Sequence, residues 1–390
     1  MMMKMRTVSL MIGLMMACSG VQAEEAVKIG FMSELSGPQA ALGQDKLDAF
    51  MMVVEQNGGT LGGVPVEVIK RDTQLKPEVA SQIADELIEK EKVAIVTGFS
   101  FTNIMMAVAK KFADANVIVM SASAGPAPLA GEQCDPHVFV MSKQNDQFAE
   151  TMGVYAKNQG YERVITLAPN YQAGKDFVRG FKVAYETELQ DEIYTPLNQL
   201  DFSTEISRIM AEQPDAVYVF YPGGLGVSFV RAYQQSGLMG RIPLMSVSTV
   251  DGTTLPALKG SAVGVLSASD WGPDLDNSAN QQFVQDFTQK YGRIPSEYAA
   301  QSYDAARLLD SALKKVEGNV DDTVALQEAI KAAEFESVRG NFRFNTNNYP
   351  IQDFYVFEVV NQDGGETSLK TVTKTLTDAK DSYYQACPMQ

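Results

Sequence analysis

The sequence predicts an α/β protein of two doubly wound, parallel-sheet lobes whose chain passes between them more than once. Three observations point there. Short aliphatic and β-branched runs alternate with longer segments of helical period, as in a parallel sheet covered on both faces. The alternation runs from about residue 27 to 120 and restarts near 146. No Pro/Ser-rich linker divides the halves, and helices and a strand are left over at the end, which argues against two independent domains in series.

The elements follow in order. Val27–Met32 is a short apolar strand closed by Ser36-Gly37-Pro38, and Gly43–Gln56 is a helix with Leu47, Phe50, Met51 and Val54 on one face. Asn57-Gly58-Gly59 stops that helix. Strand Val64–Lys70, helix Lys76–Glu91, buried strand Val93–Gly98, helix Thr102–Asn116 and strand Val117–Met120 complete the first set. The second set has helix Asp146–Gln159, strand Val164–Leu167, helix Lys175–Glu188, strand Ala216–Phe220, helix Val227–Ser236 and strand Pro243–Ser246. A helix at Gln281–Tyr291, the segment Glu297–Lys315 and a helix near Val324–Ala333 come next, then an aromatic-rich strand, Gln352–Val360.

The length of 390 residues, 45% of them hydrophobic and 21% charged, suits two or three domain-sized cores and excludes a disordered or fibrous chain. Acidic residues outnumber basic ones 48 to 32, for a formal net charge of −16. That field repels phosphate backbones, so no nucleic-acid partner is expected. It still permits a local anion site built from N–H dipoles.

Residues 1–23 read as a secretory signal peptide. Lys4 and Arg6 form a basic start, Val8–Cys18 is an apolar run too short to span a bilayer, and Val21-Gln22-Ala23 suits cleavage after Ala23. The mature chain is therefore expected to be exported. Cleavage leaves Cys134 and Cys387 of the three cysteines, and in an oxidising compartment they are expected to form one disulfide. Those two and the single histidine, His137, fall short of a four-ligand metal set, so no metal and no cofactor is expected.

Motifs for catalysis are missing. Gly98-Phe99-Ser100-Phe101-Thr102 lacks the last glycine of a nucleophile elbow, and Gly174-Lys175 lacks the rest of a phosphate loop. The chain is not expected to be an enzyme. What stands out instead is a pair of turns where strands run into helices: Ser100, Thr102 and Asn103 after one strand, and Ser121, Ala122 and Ser123 after the next. Ligands of open parallel sheets bind at such strand ends, and free N–H groups there suit a carboxylate.

Several segments together resemble type I periplasmic solute-binding proteins, in particular the branched-chain amino-acid and aromatic-acid class that serves ABC importers. They are Ile29 to Gly37, Asn57-Gly58-Gly59, Ser121-Ala122-Ser123-Ala124, Phe139-Val140-Met141 and Tyr303-Asp304-Ala305. The resemblance spans about residues 26–390. It implies two lobes joined by three crossovers, with one lobe at 26–143 plus 275–345 and the other at 144–274 plus 346–390. It also implies a periplasmic location, a cleft that closes on its ligand, a cognate membrane permease as partner and a monomeric chain. The ligand's carboxylate is expected at Ser100, Thr102, Ser121 and Ser123. The acidic residues that hold an ammonium in amino-acid binders fall here on Gln144 or Asn145 and on Val247 or Ser248, with Asp146 and Asp251 nearby. An unpaired buried ammonium is costly, so an amine-free carboxylate, aromatic or other, is expected. Phe31, Phe99, Phe101, Tyr171, Tyr221 and Trp271 are expected to face the cleft and stack on a planar ligand. The alternatives are a branched-chain or other apolar amino acid as ligand, or an exported sensor of the same fold.

Overall fold

The computed structural model of the chain describes residues 25–362 and 365–389. The expected signal peptide, residues 1–23, and its expected cleavage site lie outside the described residues. The first part of the chain forms β1 (Val27–Ser33), α1 (Ala40–Gln56), β2 (Thr60–Leu61), β3 (Val64–Asp72), α2 (Pro77–Glu86), β4 (Ile95–Thr97), α3 (Thr102–Asp114), β5 (Ile118–Ser121), α4 (Ala127–Ala130) and β6 (Val138–Val140). Its sheet has the order β2-β3-β1-β4-β5-β6 and is parallel except for the β2–β3 hairpin. Strand order reverses between β1 and β4, so the crevice for a ligand lies beyond the carboxyl ends of those two strands.

The second lobe repeats this plan. It holds α5 (Asp146–Asn158), β7 (Val164–Pro169), α6 (Gln172–Tyr185), β8 (Asp191–Thr195), α7 (Ser203–Glu212), β9 (Ala216–Phe220), α8 (Gly224–Gln235), β10 (Leu244–Val247), α9 (Leu255–Leu258) and β11 (Leu266–Ser269). The parallel order β8-β7-β9-β10-β11 reverses between β7 and β9. The chain then makes α10 (Ser278–Tyr291), α11 (Glu297–Lys315) and α12 (Thr323–Lys331), followed by β12 (Phe342–Phe344), β13 (Pro350–Asn361) and β14 (Thr367–Ala379). To this parallel core the end of the chain adds an antiparallel edge, β13 pairing with β11, β12 and β14.

Each sheet is covered on both faces, which is why β4, β5, β7 and β9 are buried at every position. In the first lobe Ile29, Phe31, Ile95 and Ile118 pack with α1, α11 and α12. Val96, Val119 and Val138 pack with α2 and α3 on the other face. In the second lobe Phe148 of α5 and Phe177 of α6 cover one face, and Phe229 of α8 covers the other. The chain leaves the first sheet after β6, leaves the second after β11, packs α11 against α1, and returns to the second sheet in β13. These are three crossovers. β12 hydrogen-bonds to β13 of the second sheet while its Phe344 ring meets Phe139 of the first lobe.

The crossovers share one buried cation. Arg339 donates through Nε to Asp304 at 2.9 Å and through one terminal nitrogen to Gln352 at 2.9 Å, to Asp270 at 3.2 Å and to the Ser142 carbonyl at 3.3 Å. Residues from all three crossovers thus meet at a single guanidinium. At the chain's end, a disulfide joins Cys134 to Cys387, with Cα atoms 5.6 Å apart.

Candidate ligand-binding cleft

The two switch points face each other across a cleft. From the first lobe come Leu42, Ser100, Phe101, Thr102 and Ser123; from the second, Tyr171, Ala173, Phe177, Phe220, Pro222 and Ser248. Lys143 and Asn145 of the first crossover and Tyr298 of α11 complete the lining. As the side chains stand, the cavity measures about 30 Å³, room for roughly two waters.

The first-lobe wall is polar. Gly98 has φ +105°, and a Cβ there would lie 2.7 Å from the Met32 carbonyl, so only glycine lets the chain turn so closely behind β1. The turn brings Ser100 to the cleft and starts α3 at Thr102 with no side-chain cap, leaving first-turn N–H groups uncapped. Thr102 Oγ1 accepts from Asn145 Nδ2 at 3.0 Å, and the same nitrogen reaches Asp176 of α6 at 3.0 Å. Ser123 Oγ donates to Gln301 at 2.9 Å, and Gln301 Nε2 donates to Asp270 at 3.1 Å. The cleft wall is therefore linked through Gln301 and Asp270 to Arg339 at the crossovers.

The second-lobe wall is aromatic. Phe177 stacks on Phe220 with centroids 4.1 Å apart, and Tyr171 lies nearly parallel to Phe220 at 6.3 Å. At the mouth Gly223 has φ +57°, and a Cβ there would lie 1.9 Å from Gln39 Oε1 of the first lobe. A side chain at this point would hold the lobes apart.

No aspartate or glutamate is among the lining residues. Glu34 and Glu297 sit one layer behind, each screened by a serine hydroxyl. Ser100 donates to Glu34, and Ser248 donates to Glu297 at 2.7 Å. Burial pushes the Glu34 carboxyl up against the pull of Lys46. It pushes Glu297 up to about 7, opposed by Lys143. Burial also lowers Lys46 to about 8, while Glu34 works the other way.

The periplasmic binding protein family model matches residues 26–366. The chain belongs to the periplasmic binding protein family. A Leu/Ile/Val-binding protein homolog from Brucella melitensis is 30% identical and covers 90% of this chain and 91% of its own. A solute-binding protein of an ABC transporter from R. palustris, solved in complex with benzoate, has a TM-score of 0.88 at 29% identity, covering 93% of this chain and 100% of that one. A second R. palustris solute-binding protein, solved with 4-hydroxybenzoate, has a TM-score of 0.83 at 28% identity, covering 91% and 98%.

In this binding protein the expected site residues divide. Ser100, Phe101, Thr102, Ser123 and Tyr171 come together at the cleft. The others are placed elsewhere. Phe31 is a core residue set edge-on against Phe50, and Phe99 is fully buried with α2 and α3. Phe31 follows from a sheet covered on two faces, where a strand has no outward side; Phe99, in the turn after β4, is folded back into the core under α3. Ser121 closes its own turn by donating to the Ala124 carbonyl at 2.6 Å, and Ala122 is fully buried beside it. Tyr221 packs between Phe202 and Phe229. Trp271 donates from Nε1 to Asn280 at 2.6 Å inside the second lobe's core. Asp251 binds the N–H of Thr253 at 2.6 Å in its own turn, and burial pushes it up to about 6. Asn103 is part-buried beside Thr102, with its Oδ1 unpartnered. Ser100 reaches the cleft, but its proton is committed to Glu34 and its oxygen accepts from Lys46.

Sequence reasoning missed Lys143, Phe177, Phe220 and Tyr298. The two phenylalanines carry a signal after the fact, since Phe220 ends β9 at the switch point and Phe177 lies in the second turn of α6, the helix that follows the neighbouring strand β7. Lys143 has only its place in the first crossover, and Tyr298 arrives from a segment more than a hundred residues downstream.

Proposed function

We propose that this chain is the exported, periplasmic capture component of an ABC importer, and that its ligand is a small aromatic carboxylate without an amino group. The make-up of the cleft wall carries this reading. It offers stacked rings on one side, hydroxyls and a helix start on the other, one lysine, and no lining carboxylate. An α-ammonium buried there would lack an anionic partner, at a cost of several kcal/mol. The R. palustris proteins solved with benzoate and 4-hydroxybenzoate support the same class.

The work is binding rather than catalysis. The ligand enters when the lobes part about the crossovers, and closure buries it between the two walls. The mature protein, cut after Ala23, works as a monomer that delivers its ligand to a membrane permease. The amino-acid alternative requires Ser248 to swing off Glu297 so that this carboxylate reaches an ammonium. A thermal-shift screen of mature protein tests the reading. Benzoate or 4-hydroxybenzoate at a hundred times its Kd should add about 2.7 kcal/mol of stability. A response to leucine or isoleucine with none to either acid sinks it.

A further inference from the structure

Most buried charges around the cleft are held by a counter-charge or a hydroxyl at hydrogen-bond distance, and Lys143 is not. Lys46 donates to Ser100 beside Glu34, Arg339 pairs with Asp304 and Asp270, and Glu297 accepts from Ser248. Lys143 is only 3% exposed and lines the cleft. Its ammonium has one long contact, to the Ser123 carbonyl at 3.4 Å, and lies 4.3 Å above the Phe148 ring. Among the described residues no carboxylate comes within ion-pair distance of it. A carbonyl at that distance and a ring face do not replace the hydration an ammonium loses on burial. Glu297 and Asp270 act on it only from beyond ion-pair distance, so its near side stands open to an anion. The uncapped start of α3 at Thr102 lines the same cleft and favours the same sign of charge.

We infer that Lys143 is the counter-ion of the ligand's carboxylate and so the residue that selects acids over their neutral analogues. This inference rests on the proposed capture of a carboxylate. It places the anion at the first crossover, between Lys143 and the first turn of α3, and not at Ser100 or Ser121, whose hydroxyl protons are already spent. The ligand's ring then extends towards Tyr171, Phe177 and Phe220. Because Lys143 sits in a crossover beside Ser142, whose carbonyl accepts from Arg339, pairing it with ligand also acts directly on the hinge.

The test is calorimetric titration of parent, Lys143→Met and Lys143→Arg with benzoate and with benzamide. Lys143→Met should weaken benzoate about a hundredfold, the scale of a lost charge-assisted hydrogen bond in a buried site. It should leave benzamide binding where it was, and Lys143→Arg should restore most of the benzoate affinity. Benzoate binding within threefold of the parent in Lys143→Met overturns the inference. If the parent binds leucine but not benzoate, the aromatic-acid reading fails while the same variants, titrated with leucine, still judge Lys143. Thermal melts without added ligand supply a readout that needs no binding. Removing an unpaired buried ammonium should leave the melting temperature unchanged or raise it. A fall of several degrees shows that Lys143 is instead held by the protein itself.

Discussion

The two lobes present the same architecture to the cleft and opposite chemistry. Each offers the carboxyl ends of two neighbouring parallel strands at the point where strand order reverses, β1 with β4 and β7 with β9. Beyond β4 stand Ser100 and Thr102; Tyr171 stands beyond β7, and at the end of β9 stand Phe220 and, past it, Pro222. Sheet topology thus decides where the cleft is, and the few residues at and just past each strand end decide its chemistry. In the proposed reading the polar wall orients an anion and the aromatic wall supplies area. Neither half makes a site alone, so the hinge that registers them is part of the recognition.

The largest effect is expected where both walls hang from one group. Arg339→Met leaves Asp304 and Asp270 buried without their cation, and should cost about 3–5 kcal/mol of stability. Urea unfolding measures it; a loss below about 1 kcal/mol would mean that the crossovers do not depend on this hub. On the aromatic wall, Phe220→Ala removes the ring between Tyr171 and Phe177 and should cost about 3–4 kcal/mol of stability as well as ligand affinity. A variant that binds benzoate as the parent does would break the assignment of the second lobe as the stacking surface.

A third prediction separates the carboxylates behind the walls from those in them. Glu297 keeps its proton up to about pH 7 in the folded state, against 4.5 for the free side chain. The folded protein therefore binds more protons than the unfolded one across that window. Its contribution to stability is complete below pH 4.5 and lost as pH rises through about 7. Glu297→Gln should flatten the fall, by at most about 3 kcal/mol between the two ends. Parallel pH curves for variant and parent would contradict it. The smallest effect belongs to the polar wall. Thr102→Val should weaken benzoate about tenfold and barely change unfolding, the reverse of the balance at Phe220.

The same contrast explains what the sequence disclosed. The first-lobe turns were legible because a buried strand followed by Ser, Thr and a helix start is a local pattern. Phe31, in β1, and Phe99, just beyond β4, could not be sorted from cleft aromatics, since strands covered on both faces carry no alternation to read. Lys143 was hidden for another reason: an ammonium in a crossover looks like any surface lysine until the fold buries it. β14 escaped because Thr367–Ala379 alternates Thr and Lys, with mostly apolar or threonine side chains on its inner positions and an exposed outer face. That is an edge strand, whose polarity resembles a loop. Tyr298 depends on the return of α11 to the first lobe, which no local pattern encodes.

The central claim is that the cleft accepts a carboxylate and refuses an ammonium. A matched pair isolates that difference: 3-phenylpropanoate and phenylalanine share a ring, a chain length and a carboxylate, and differ in the α-ammonium. Calorimetric titration of the mature protein with both should give tighter binding of 3-phenylpropanoate by about a hundredfold or more, since the extra charge meets no lining acid. Equal affinity, or tighter binding of phenylalanine, would contradict the account and move the recognition to Glu297 behind Ser248.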